Sequence, residues 1–236
     1  MSLDLSTIKK WVIPEGEVQS VTVNGVVIWK KPADTPTTQA NHITGTASAE
    51  FTAKLGDVTL TFPAGNFDVE YTGNALITTR VVLGNKTALL TIDSWTVSTS
   101  SVKDMGGMFQ GCAALTSLNL SNFDTSKVKD ISFMFSSCRK LASLALGSNF
   151  DTSNTTTVGK VFYSCSALTT ITGCLKNLAV SVSLSESPLD HDSAVRIING
   201  LATVTKAKTL TLSSTTKNTL SATEKAVLIN KGWTLA

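Results

Sequence analysis

Charge is scarce in this sequence. Asp, Glu, Lys and Arg make up 16% of its 236 residues, where soluble domains usually carry about a quarter. The net charge of +3 comes from lysines and arginines scattered along the chain. No basic stripe forms, which argues against a nucleic-acid partner. No apolar run is long enough to span a bilayer, so no membrane insertion is expected. The first ten residues contain no apolar h-region and no cleavage site, so either a leader has been removed or the protein is not exported by that route. There are two histidines and four cysteines, with neither a Cys-x-x-Cys nor a histidine pair to suit zinc. A Gly-rich phosphate loop, a nucleophile elbow and a paired set of catalytic carboxylates are all missing. No catalytic residue, metal ligand or cofactor site can be named, and the expectation is a non-enzymatic protein.

What the sequence does contain is repetition. Met108-Phe109, Met134-Phe135 and Val161-Phe162 recur at steps of 26 and 27 residues. The same register aligns Cys112, Cys138 and Cys165, then Leu115, Leu141 and Leu168, then Leu118, Leu144 and Ile171. Two near-copies of one phrase, Asn122-Phe-Asp-Thr-Ser126 and Asn149-Phe-Asp-Thr-Ser153, separate the blocks. A weaker copy upstream places Val82-Leu83, Leu89 and Ile92 in register, with Tyr71 and Val97 in the Phe123 and Phe150 column. A fixed period in the twenties signals a leucine-rich array of strand-and-turn units. Within a unit, Leu115-x-x-Leu118-x-Leu120 alternates with Ser117, Asn119 and Ser121, which puts leucines inward and small polar residues outward. The Met-Phe-x-x-Cys segment is expected to form a short helix or turn with Phe and Cys in the core.

These phrases, Met108-Phe109-x-Gly-Cys112-x-x-Leu115-x-x-Leu118-x-Leu120 and Asn-Phe-Asp-Thr-Ser above all, resemble the BspA-like leucine-rich repeat. That family occurs in bacterial surface proteins and in some phage and protist proteins, and the resemblance implies attachment rather than catalysis. Ser187-Pro188-Leu189 with Asp192-Ser193, Lys208 to Leu212, and Lys231 to Leu235 resemble the end cap of such arrays. The resulting expectation is an α/β fold: a short right-handed leucine-rich-repeat solenoid with a parallel sheet, preceded by a β-rich N-terminal cap and a hairpin module.

The domain boundaries follow. Residues 1–32 hold a hairpin, Val18 to Val23 and Val26 to Lys30 around Asn24-Gly25, the pair that a type I′ turn favours. Val21, Val23, Asn24, Gly25, Val27 and Trp29 are its candidate anchoring residues, and the run from Val21 to Pro32 resembles a short module of phage tail and fibre proteins. Residues 33–43 read as a Pro/Thr linker. Residues 44–70 read as a β-rich cap with turns at Gly56-Asp57 and Pro63 to Asn66, residues 71–175 as the repeats, and residues 176–236 as a strand-helix cap. In that last segment Asp190 or Asp192 caps a helix with Val195, Ile198 and Leu201 on one face, and Ser221-Ala-Thr-Glu224 is a capping box opening a second helix, which Lys231-Gly232 closes.

Three constellations invite chemistry. The cysteine column reads as buried free thiols, with disulfides and metal ligation as competing readings, and Cys174 stands outside the column. His191 between Asp190 and Asp192 could be an acid-base or metal cluster, although capping accounts for the aspartates. Asp124-Thr125-Ser126 and its copy could suggest calcium, although side chains that bond their own turn explain them. The candidate site is therefore a surface: Thr91, Asp93, Ser117, Asn119, Ser143, Ala145, Thr170, Thr172, Ser181, Ser183, Thr209 and Thr211 are expected on one continuous flat face. It offers no aromatic ring for stacking on a glycan, and a solvated sheet face that holds no ligand is the competing reading. The function expected is a phage virion surface protein, a tail or head fibre component that meets a host cell-surface receptor or other virion proteins. Homo-oligomers, with a trimer foremost, are expected of it. A bacterial surface adhesin at the cell exterior is the alternative.

Overall fold

The computed structural model describes residues 20–23, 26–30, 42–55, 58–71, 81–83 and 85–236. The chain divides into two compact units, Met1–Thr38 and Gln39–Ala236. In the first, β1 (Ser20–Val23) pairs antiparallel with β2 (Val26–Lys30). Val21 lies opposite Trp29 and Thr22 opposite Val27, so a bulge leaves Ile28 without a directly paired residue. The Asn24-Gly25 turn, the linker up to residue 41 and the Gly56-Asp57 turn lie outside the described residues.

The second unit begins with β3 (His42–Ala47), β4 (Phe51–Leu55), β5 (Val58–Phe62), β6 (Gly65–Glu70) and the two-residue β7 (Val81–Val82). β8 (Leu89–Trp95), β9 (Ser117–Leu120), β10 (Ser143–Leu146) and β11 (Thr170–Thr172) are the repeat strands. They pair parallel and in the register of the sequence repeat: Ile92 lies beside Leu118, Leu118 beside Leu144, and Leu144 beside Ile171. Alternate residues face inward, so this leucine-isoleucine column is buried. Behind it, the rings of Phe109, Phe135 and Phe162 stack with centroids 6.1 and 5.4 Å apart. A single repeat could not bury such residues, whereas stacked copies bury one another.

The architecture overturns the expected α/β solenoid. Among the described residues the chain is mostly β with mixed sheets, and the three helices there all lie beyond residue 190. Three physical reasons account for the difference. First, the segments between repeat strands are turns. Gly107, Phe133 and Lys160 in one column have φ of 66°, 58° and 55°, and Asn85, Gly111, Ser137 and Ser164 in another have 61°, 71°, 64° and 56°. A left-handed residue at every fourth position stops a helix from propagating. Second, the strands before the repeats join the repeat sheet at its side. β3 pairs antiparallel with β8, and β6 pairs antiparallel with β3, which gives the six-stranded order β11-β10-β9-β8-β3-β6. Its outer strand carries exposed Asp68 and Glu70, charges that discourage further pairing. β5, β4 and β7 form a separate antiparallel sheet, joined to the first where Phe62 of β5 meets Phe67 of β6 edge to face at 5.3 Å.

Third, the parallel sheet stops at β11. The head of α1 (His191–Gly200) seals that edge: the Asp190 N–H donates to the Thr169 carbonyl at 2.8 Å. Ser193 Oγ accepts from the Ile171 N–H at 2.8 Å and donates to the Ile171 carbonyl at 3.3 Å. β12 (Val182–Leu184), β13 (Lys208–Leu212) and β14 (Trp233–Leu235) then form their own three-stranded parallel sheet.

Asp190 is the cap of α1, and its buried stripe is Ala194, Ile197 and Ile198, with Leu201 just past the last turn. Val195, expected on that stripe, is only partly buried. The capping box of Ser221 and Glu224 opens α3 (Ala222–Asn230) as expected, and Gly232 follows it at φ 83°. α2 (Ser214–Thr219) was not anticipated.

Candidate functional site

The face of β8–β11 opposite the leucine column carries two rows of short side chains. Thr91, Ser117, Ser143 and Thr170 form one, each beside the next across the parallel pairs. Asn119, Ala145 and Thr172 form the second, with Asp93 leading it on β8. All of them but Thr91 line a shallow depression of about 330 Å³. The structure thus brings together eight of the twelve face residues named from the sequence. Ser183 and Thr211 are paired on the other sheet. Ser181 accepts the Thr209 N–H there at 2.9 Å, and the Thr209 and Thr234 hydroxyls meet at 3.1 Å. The face expected to be continuous is therefore two faces, divided where α1 closes the edge of β11.

Several of these polar groups are already engaged. Thr91 Oγ1 receives the Thr46 N–H at 3.0 Å and lies 2.9 Å from the Thr46 hydroxyl. Asn119 Nδ2 donates to the Asp93 carbonyl at 2.8 Å, and its Oδ1 accepts from the Ser121 N–H at 3.0 Å. Thr170 Oγ1 donates to Asp190 Oδ2 at 3.2 Å. Burial pushes the Asp190 carboxyl up, but the Ser193 hydrogen bonds, with Thr170 and the Arg196 charge, hold it below the ordinary carboxylate range. Among the described residues, the Ser117, Ser143 and Thr172 hydroxyls form no side-chain hydrogen bond. They are the groups free to meet a ligand.

The other constellations resolve into structure. Cys112, Cys138 and Cys165 are free and buried, and each thiol donates back to a carbonyl of the preceding repeat: Leu83, Phe109 and Phe135, at 3.2, 3.1 and 3.1 Å. Burial pushes Cys112 up to about 11, Cys165 up to about 12, and Cys138 in the same direction. Cys174 is half-buried; burial raises it too, against the pull of Lys176 and Lys231. In the opposite direction, the buried hydroxyls of Thr99, Thr125 and Thr152 donate forward to the carbonyls of Asp124, Asp151 and Lys176.

Asp124 and Asp151 each accept the N–H two residues on, from Ser126 and Ser153, as a turn requires. The same pattern holds at Asp104 and Asp130, which accept from Gly106 and Ser132. His191 does not act with its neighbours: Asp190 caps the helix, Asp192 faces Arg196 at 3.8 Å, and His191 Nε2 lies 3.2 Å from Glu224 Oε1 on the surface. Among the described residues no group of three His, Cys, Asp or Glu side chains could hold a metal ion. No helix among them is long and apolar enough to cross a membrane.

One cleft was not named from the sequence. Lys160, Phe162, Tyr163, Ser183, Ser185 and Glu186 line a pocket of about 130 Å³. Tyr163 is 48% exposed, and the Lys160 ammonium sits 5.4 Å from its ring centre. The signal was present in the repeat: the Tyr163 column holds Gln110 and Ser136 in the earlier copies, so an aromatic there breaks the pattern.

Residues 79–178 match a family model described as a Mycoplasma protein of unknown function, DUF285. No curated protein and no solved structure matches the chain. The match takes in the four repeat strands and their polar face, and leaves out both the hairpin unit and the sheet of β12–β14.

Proposed function

We propose that this chain is a non-enzymatic attachment protein of a virion surface, a tail or head fibre component that displays BspA-like leucine-rich repeats towards a host cell-surface receptor or another virion protein. The observation that carries the reading is the β8–β11 face: two in-register rows of short side chains, with Asp93 as their one ionisable member. Such a face suits recognition of a broad surface, and Asp93 has no second titratable side chain among the residues of the face to work with. The hairpin unit, with Val21, Val23, Val27 and Trp29 on its strands, is the part assigned to anchoring, through its resemblance to tail and fibre modules.

A secreted bacterial adhesin is the second reading. It is favoured by a family description that names Mycoplasma proteins. Mass spectrometry of purified virions, with antibody labelling of intact particles, separates the two. The virion reading predicts stoichiometric chain on the outside of particles. Recovery of the chain only from the bacterial envelope would replace it with the adhesin.

A further inference from the structure

The turn segments behind the strands are joined by a polar ladder. Ile131, Phe133, Phe135 and Ser137 donate their N–H groups to the carbonyls of Thr157, Gly159, Val161 and Tyr163, at 3.0, 2.9, 3.0 and 2.7 Å. Met105, Gly107, Phe109 and Gly111 do the same one repeat earlier, to Asp130, Ser132, Met134 and Ser136. Every donor in this ladder points towards the next repeat, and every acceptor points back. The last repeat places Val158, Lys160, Phe162 and Ser164 in the donor positions, and no further repeat follows.

One of those four donors is filled from within the chain. Glu186 Oε2 accepts from the Ser164 N–H at 2.9 Å and from its hydroxyl at 3.2 Å. A carboxylate thus stands where the Tyr163 carbonyl stands for Ser137. Among the described residues, the N–H groups of Val158, Lys160 and Phe162 have no partner. Val158 and Phe162 are buried residues and Lys160 an exposed one, and a row of unpaired amides at the edge of a stack offers its donors to an incoming chain. The pocket that borders it includes Lys160, Phe162 and Glu186, together with the exposed ring of Tyr163.

We propose that this open rung is a docking site for a segment of a partner protein with the turn geometry of the repeat's own rung, which supplies main-chain carbonyls to Val158, Lys160 and Phe162 and packs a side chain against Tyr163. In both earlier rungs the acceptors are carbonyls at alternate residues of a turn segment, all pointing back towards the donors, and the open rung is shaped to take the same arrangement. The contact continues the interface that already joins one repeat to the next. It is independent of the β8–β11 face, so it stands or falls apart from the attachment reading.

The test uses the whole chain, labelled with nitrogen-15, and a blocked peptide of residues 157–164, which carries the four carbonyls that fill the preceding rung. In the free protein, Ile131, Phe133, Phe135, Ser137 and Ser164 should exchange their amide hydrogens orders of magnitude more slowly than Val158, Lys160 and Phe162. Millimolar peptide should then shift and protect those three amides. Glu186→Ala should extend the shifts to Ser164, and Tyr163→Ala should weaken binding by about tenfold. Slow exchange at the three amides in the free chain would overturn the proposal. So would peptide that leaves them unmoved, or protection arising from self-association in sedimentation without peptide.

Discussion

At the scale of single residues, the thiol column makes the sharpest prediction. A thiol is neutral when protonated, and burial in the folded chain raises Cys112, Cys138 and Cys165 above the ordinary value of 9.0. The folded state therefore keeps three protons that the unfolded chain releases as pH rises through 9. Their contribution is fully present below that value and is lost between it and the folded values. Each thiol should cost about 1.4 kcal/mol between pH 8 and pH 10, about 4 kcal/mol for the three. Urea unfolding at the two pH values measures this, and Cys138→Ser should remove about a third of the loss. In native protein Cys174 should label first with a thiol reagent, and the column should label only as fast as the chain opens. The period of the sequence placed these cysteines inside. It could not show that each thiol bonds a carbonyl of the previous repeat, because that depends on turn geometry with left-handed residues such as Phe133 and Lys160 that carry no glycine signature.

Elements carry the next set of expectations. Phe135 stacks on rings from both neighbouring repeats, so Phe135→Ala should cost roughly 3–5 kcal/mol by the same urea measurement. Gly147 closes β10 where a Cβ would run into the Ser121 carbonyl. Gly147→Ala should destabilise by about 1–3 kcal/mol, since the backbone must yield. Ser221→Ala removes the capping box of α3 and should cost about 1 kcal/mol. Strands β9 and β10 were legible because their alternation is strict and repeated. The start of β3, His42-Ile43, falls in the aperiodic Pro/Thr segment that reads as linker, and what holds it is pairing to β8 and β6. α2 has no apolar periodicity at all. It forms around Thr216, whose N–H is capped by Ser213 and whose hydroxyl donates to the Leu189 carbonyl at 2.8 Å.

For the whole molecule, the repeat period set the order of the parallel strands but not the limits of the sheet. Those limits come from contacts between segments of unrelated sequence: β3 lying antiparallel on β8 at one side, and Asp190 with Ser193 closing β11 at the other. The candidate face was accordingly legible over the repeats, from Thr91 to Thr172, and misjudged beyond them, where Ser181, Ser183, Thr209 and Thr211 belong to a second sheet. In the proposed function this unit is displayed and the hairpin unit anchors it, and sedimentation equilibrium on the full chain beside one beginning at Asn41 tests that division most directly. The full chain should sediment as an oligomer, a trimer near three times its 24.9 kDa mass, and the shortened chain as a monomer. Two monomers would contradict the anchoring role of residues 1–32, and two oligomers of the same order would place assembly in the repeats instead.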